Sequence, residues 1–208
     1  MRVMSPRRAA ALDGGDLSLR EHLIATAERM IAERGTAGLT VRAIAQEAGV
    51  AGGVLYNHFA DKEELIALAL RAHATAIMRG LGALPEPGTG TVEDNLRAYV
   101  AHGLALHARL LPALTGLLAQ PKVLARFAAL SDRDEDWKER LVRYLRAERG
   151  LGRLAPDARV EAAASMLVGV SHETVLSALF QGEGLAREVP PEAADDLVAT
   201  VLHGISLR

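Results

Sequence analysis

"AGVAGGVLYNHF", residues 48–59, sets two adjacent glycines immediately before Tyr56 and Phe59, two of the few aromatic residues in the chain. A glycine inside a helix costs about 1 kcal/mol relative to alanine, so a Gly-Gly pair in a chain rich in Ala and Leu marks a place where backbone itself is wanted. Just upstream, Thr40 is a cap candidate, and Val41, Ile44, Ala45 and Ala48 share one side of a short helix that stops at Gly49. A short helix, a turn at "GVA" and a second short helix carrying "GGVLYNHF" have the dimensions of a helix-turn-helix, whose second helix lies in the DNA major groove. In that setting Gly52 and Gly53 let the backbone come close to DNA while the helix start offers free amides to a phosphate. The competing reading is that the pair merely completes the turn.

Outward from this stretch the signals are helical. Ser18 and Glu21 in "SLRE" form a capping box, and Leu19, Leu23, Ala27, Met30 and Ile31 follow helical spacing until "RGTAGLT" interrupts it. Asp61 and Glu64 in "DKEE" form another box, opening a helix with Leu65, Leu68 and Ala69 on its apolar face. No stretch alternates apolar and polar residues with Val, Ile and aromatic enrichment, so strands are not expected. The fold class is all-α.

The segment "LTVRAIAQEAGVAGGVLYNHFADKEEL", residues 39–65, resembles the DNA-binding segment of the TetR (tetracycline repressor) family, and with the preceding helix the resemblance covers roughly residues 18–70. It implies an N-terminal three-helix helix-turn-helix domain over 18–64, preceded by a flexible basic arm (1–17) and followed by a larger helical ligand-binding and dimerisation domain over 65–208. By that resemblance Thr40 starts the helix before the turn and contacts phosphate. Val54, Tyr56, Asn57 and His58 sit on or beside the reading helix, with the Tyr56 hydroxyl on the DNA backbone and Lys62 on a phosphate, while Leu55 and Phe59 pack inward. Arg42 and Lys62 supply sequence-independent, salt-sensitive charge neutralisation, whereas Asn57 or His58 reads base edges only if its side chain points into the groove. The chain departs from the family pattern at Ala51, where Ser or Thr is common, and at Gly52, where Lys or a larger polar residue is common. The start of the reading helix therefore has little hydrogen-bonding capacity, which shifts readout toward shape, toward Val54 on a thymine methyl, and toward Arg2, Arg7 and Arg8 in a neighbouring groove.

Beyond "PEPGTG" at 85–90, Thr91 and Asp94 open a helix with Leu96, Tyr99, Val100, Gly103, Leu104 and Leu106. Apolar segments at 110–119, 121–130 and 132–149 are separated by Pro112, Pro121 and the polar "SDRDED" cluster, and Trp137, Leu141, Tyr144 and Leu145 make one broad stripe. In the TetR family the corresponding helices enclose a small-molecule pocket. The resemblance thus implies a lining of Tyr99, His102, Phe127, Trp137, Tyr144 and Met166, suited to a hydrophobic or aromatic effector. His102, His107 and His172 do not form an i, i+4 metal pair, and neither a metal nor a cofactor is expected. Residues 157–181 and 192–205 carry small residues among larger apolar ones, which suits an isologous four-helix dimer interface. Such a dimer spaces two reading heads about 34–36 Å apart on a palindromic operator.

The bulk properties agree. Cysteine is absent, excluding disulfides and thiolate chemistry, and the net charge of −2 argues against coating nucleic acid by charge alone. No apolar run approaches the roughly 18–20 residues of a membrane span, so a cytoplasmic protein without membrane contact is expected. No nucleophile motif, paired metal ligand or phosphate-cradling loop is present, so enzymatic function is not expected. The reading is a ligand-responsive homodimeric repressor of DNA. The alternative is a helical small-molecule-binding protein of the same fold with weak or lost specific DNA binding.

Overall fold

The computed structural model describes residues 18–36, 38–130, 136–181 and 191–204. The basic arm (1–17), most of the "SDRDED" cluster and position 205 of the expected 192–205 segment lie outside the described residues. The helices are α1 (Leu19–Arg34), α2 (Val41–Glu47), α3 (Lys62–Gly80), α4 (Val92–Thr115), α5 (Pro121–Leu130), α6 (Trp137–Gly150), α7 (Val160–Phe180) and α8 (Pro191–His203), with a 3-10 helix over Gly52–Asn57 between α2 and α3. No strand occurs among the described residues.

The caps explain the helix starts. Ser18 accepts from the Glu21 amide at 3.3 Å and Glu21 returns a bond to the Ser18 amide at 2.7 Å, closing the expected box. Thr40 accepts from Ala43 N–H at 3.1 Å, and Thr91 accepts from Asp94 N–H at 3.0 Å. The box at Asp61 is displaced by one residue: Asp61 caps the Glu64 amide at 2.9 Å, but Glu64 reaches back to the amide of Ala60 at 2.7 Å.

The chain divides into two compact units. The first takes residues up to Ala74 together with Ala113–Leu130; the second takes Thr75–Pro112 and the chain from Ser131 onward. In the first unit Leu23, Ala27, Ile31, Ile44, Leu55, Phe59, Leu65, Ile66 and Leu70 are buried. The α1–α2 connection is tied in by Thr36, whose buried hydroxyl donates to the Ala113 carbonyl at 3.1 Å. That carbonyl lies in the last turn of α4, where carbonyls have no helical partner. Gly116 has no room for a side chain there, because a Cβ would collide with Thr36 Oγ1. The break expected at Pro112 does not occur, and α4 runs through it to Thr115. Having no N–H, Pro112 leaves one i→i−4 bond out of the last turn of α4, and the helix continues past it.

In the second unit the stripe Trp137, Leu141, Tyr144 and Leu145 is buried against Leu96, Tyr99, Val100, Leu106, Val160, Ala164 and Leu167. The 85–90 connection is pinned by polar bonds. Glu148, fully buried, accepts from Gly88 N–H at 3.1 Å and pairs with Arg153 at 3.3 Å, and Asn95 donates to the Thr89 carbonyl at 2.7 Å. Helix α7 modifies one expectation. By length and composition alone its 21 residues, with hydropathy 1.3, are enough to cross a membrane.

Candidate nucleic-acid interface and helical core

The turn after α2 is set by Gly49, whose φ of +70° favours glycine; Val50 N–H then closes back on the Ala45 carbonyl at 2.9 Å. Gly52 and Gly53 are different. Neither has a positive φ, and a Cβ on either would meet nothing within 4 Å. The conformational need for glycine in this motif thus falls on Gly49, and nothing inside the protein requires the pair that follows.

The second short helix expected from the sequence is a six-residue 3-10 helix. Ala51 supplies no side-chain cap, two glycines lower helix propensity, and the turns close by i+3 bonds from Val54 N–H to Ala51 at 2.9 Å and from His58 N–H to Leu55 at 3.0 Å. Leu55 and Phe59 face the core. Ala51, Gly52, Gly53, Tyr56 and Asn57 are exposed, and Val54 and His58 are half-buried. Tyr56 is 63% exposed, a large value for an aromatic side chain. Thr40, Arg42 and Lys62 are also exposed. Arg42, Gly52 and Tyr56 join Val41, Ala45, Gln46 and Val50 around an open hollow of about 450 Å³ between α2 and the reading element.

Two arginines that sequence reasoning missed hold this surface. The Arg20 guanidinium pairs with Glu64 at 3.0 Å, donates to the His58 carbonyl at 3.4 Å and lies 5.1 Å over the Phe59 ring. One side chain of α1 thereby fastens the end of the reading element and the start of α3. Arg126 on α5 pairs with the cap residue Asp61 at 2.6 Å. Contacts across 38 to 65 residues leave no local pattern in a sequence.

In the second unit the expected lining residues Tyr99, Trp137 and Tyr144 are core side chains, 5%, 5% and 2% exposed, with the two tyrosine rings 4.8 Å apart. His102 is half-buried on α4. Met166 is 50% exposed on α7, and Phe127 lies on α5 in the first unit. Histidines separated in sequence do meet. His107 on α4 and His172 on α7 share an Nε2–Nε2 hydrogen bond of 2.9 Å, and the Trp137 ring meets His107 edge to face at 5.4 Å. Gly103 makes this possible, since a Cβ there would collide with the Trp137 ring. Burial, then the neighbouring His172, lowers the His107 pKa to about 4, offset in part by the Gly103 carbonyl. Burial also lowers the values of His172 and His102. Among the described residues no group of three or more metal-ligating side chains comes together.

A short helix, a glycine turn and an exposed second element define a helix-turn-helix, in a chain that also has a second helical unit. Residues 23–69 match the family described as bacterial regulatory proteins, tetR family. The repressor NemR of Escherichia coli K12 is 34% identical over 80 residues, which are 38% of this chain and 40% of NemR. The repressor KstR2 of Mycobacterium tuberculosis H37Rv is 50% identical over 54 residues, 26% of this chain and 27% of KstR2. These matches span less than half the length of either relative. Among solved structures, FadR of Bacillus subtilis, in complex with stearoyl-CoA, is similar with a TM-score of 0.62 and 19% identity over 89% of this chain and 98% of that one. The multidrug binding protein EbrR, complexed with imidazole, is similar with a TM-score of 0.59 and 22% identity, over 90% and 96%. Likeness at this identity shows the fold alone. The N-terminal segment, residues 23–69, is that of the TetR family of bacterial regulatory proteins.

Proposed function

We propose that this chain is a ligand-responsive transcriptional repressor that binds a palindromic operator as a homodimer and is released by a small hydrophobic or aromatic effector. The observation that carries the DNA reading is the Gly52–Gly53 pair: exposed, free of internal need for glycine, and beside the hollow of Arg42 and Tyr56. The missing side chains serve a partner's close approach. In this reading Thr40, Tyr56 and Lys62 contact the DNA backbone, Arg42 neutralises charge, Ala51, Gly52 and Gly53 lie against it, and Val54, Asn57 and His58 face the groove.

Helix α7 supports the dimer. Its exposed side carries Ala162, Ser165, Met166, Gly169 and Val170 at helical spacing, and a Cβ on Gly169 would meet nothing within 4 Å. Five such positions on one helix suit a second copy that packs close, with α7 and α8 of each subunit forming the four-helix interface. The apolar length of α7 serves this interface, and the protein works in the cytoplasm without catalysis. The effector reading rests on Tyr99, His102, Trp137 and Tyr144 in the second unit, with ligand-favoured and DNA-favoured states differing in the setting of α3.

The test is stoichiometry by native mass spectrometry of the full chain on a selected duplex. Two chains per duplex are expected, reduced to weak single-chain binding in Val170→Asp. A single chain bound at full affinity refutes the dimer reading. The second reading, a ligand-binding protein without specific DNA readout, is favoured by the uncapped Ala51 start.

A further inference from the structure

The start of the reading element carries no polar side chain, because Ala51, Gly52 and Gly53 stand in series. Base edges in the major groove are told apart by hydrogen bonds, and a helix-turn-helix ordinarily takes these from the first residues of its second helix. Here that place is empty, since a Cβ on either glycine would meet nothing within 4 Å. It is also open to a neighbour. Gly52 forms one edge of the hollow of about 450 Å³ whose polar wall on α2 is made by Arg42 and Gln46.

Arg42 and Gln46 are four residues apart and share one face of α2. Long side chains on a helix lean toward its N-terminus, which for Gln46 is the end where Thr40 and Arg42 meet DNA in the reading above. Gln46 is exposed, and among the described residues no hydrogen bond or ion pair engages its side-chain amide. The carboxylate beside it is taken up elsewhere: Glu47 pairs with Arg29 at 3.1 Å and with Arg34 at 3.5 Å, both on α1. The hollow therefore presents a guanidinium, an amide and the Tyr56 phenol, and no carboxylate. That set fits a polyanion whose bases offer donors and acceptors together.

We propose that Gln46, on the supporting helix, reads an adenine edge across the glycine pair, its amide N–H donating to N7 and its carbonyl accepting from the N6 amino group. Glutamine carries the donor and acceptor that match adenine in the major groove. The inference rests on the DNA-binding reading and adds to it a specificity residue outside the reading element. The glycines then serve two ends. They bring backbone close to the duplex, and they leave room for a side chain of another helix to reach past it. Direct readout moves to α2 instead of giving way to shape, while Arg42 remains on phosphate.

The full-length chain, Gln46→Ala and Gln46→Glu are each carried through selection on a randomised duplex library. Anisotropy then follows binding to the selected duplex and to duplexes changed one base pair at a time. The expected result is an adenine position in each half-site at which the parent discriminates by about tenfold or more. Gln46→Ala loses that discrimination there and at the symmetry-related position, while every other preference and the salt dependence stay as in the parent. Gln46→Glu, which only accepts when ionised, moves the preference at that position from adenine to cytosine, whose N4 amino group donates. Deaza-adenine, with C–H in place of the N7 acceptor, weakens the parent and leaves Gln46→Ala unaffected. Equal melting by circular dichroism shows that the variants are folded. A consensus unchanged in Gln46→Ala, or a loss spread evenly over all sequences as for a phosphate contact, overturns the proposal and leaves the operator-binding reading standing. A parent chain that selects no sequence overturns that reading, and this residue's role with it.

Discussion

Replacing Gly52 and Gly53 together by alanine separates what the protein needs from what its partner needs. Neither residue has a positive φ and neither added methyl meets a neighbour within 4 Å, so the folded state accepts both without strain. Each substitution removes backbone freedom from the unfolded chain and favours helix, contributing about 0.5–1 kcal/mol, or roughly 1–2 kcal/mol for the pair. For a chain of this size that raises the melting temperature by about 2–8 °C. Toward DNA the effect has the opposite sign. Two methyls on a surface packed against a sugar-phosphate backbone force it outward, and overpacking of this kind costs about 1–3 kcal/mol, a loss of roughly five- to 150-fold in affinity. Thermal unfolding by circular dichroism gives the first quantity, and fluorescence anisotropy on a selected duplex at fixed salt gives the second. A variant that is more stable and binds the duplex as well as the parent refutes the close-approach reasoning. A variant that is less stable refutes the claim that nothing internal requires these glycines.

Other outcomes follow from the same geometry. Lys62→Ala lowers affinity evenly across duplex sequences and reduces the slope of log affinity against log salt by about one, measured by anisotropy at several salt concentrations. Arg20→Ala weakens duplex binding by roughly five- to 30-fold with that slope unchanged, because its ion pair, carbonyl bond and ring contact position the reading element without touching DNA; Arg20→Lys restores only part of this. His107, with its folded pKa lowered to about 4 from an unfolded value near 6.5, stabilises the fold fully above pH 6.5. That stability is lost as pH falls from 6.5 toward 4, by up to about 3 kcal/mol, and urea midpoints for His107→Phe lose this part of the pH dependence.

The first unit was largely legible because its signals are local. Ser18, Thr40 and Asp61 each cap within three residues, and Leu55 and Phe59 alternate with exposed neighbours within one short element. The 3-10 geometry was not legible, since the same six residues satisfy either helix and the difference turns on an absent cap at Ala51. Pro112 was misread as a break, whereas α4 runs through it to Thr115 with one ladder bond left out. The second unit hid more. The Trp137 stripe was visible on its own helix, but its fit onto Gly103 and the meeting of His107 with His172, 65 residues apart, depend on how three helices cross. For the same reason the sequence did not show that Met166 is half exposed while Tyr99 and Tyr144 are buried.

The measurement closest to the central claim is selection of the purified full chain on a randomised duplex library at two salt concentrations, with Tyr56→Ala and Lys62→Ala alongside. The account predicts an enriched palindrome that both variants lose. Binding that is salt-sensitive but blind to sequence, and equal in all three proteins, contradicts it.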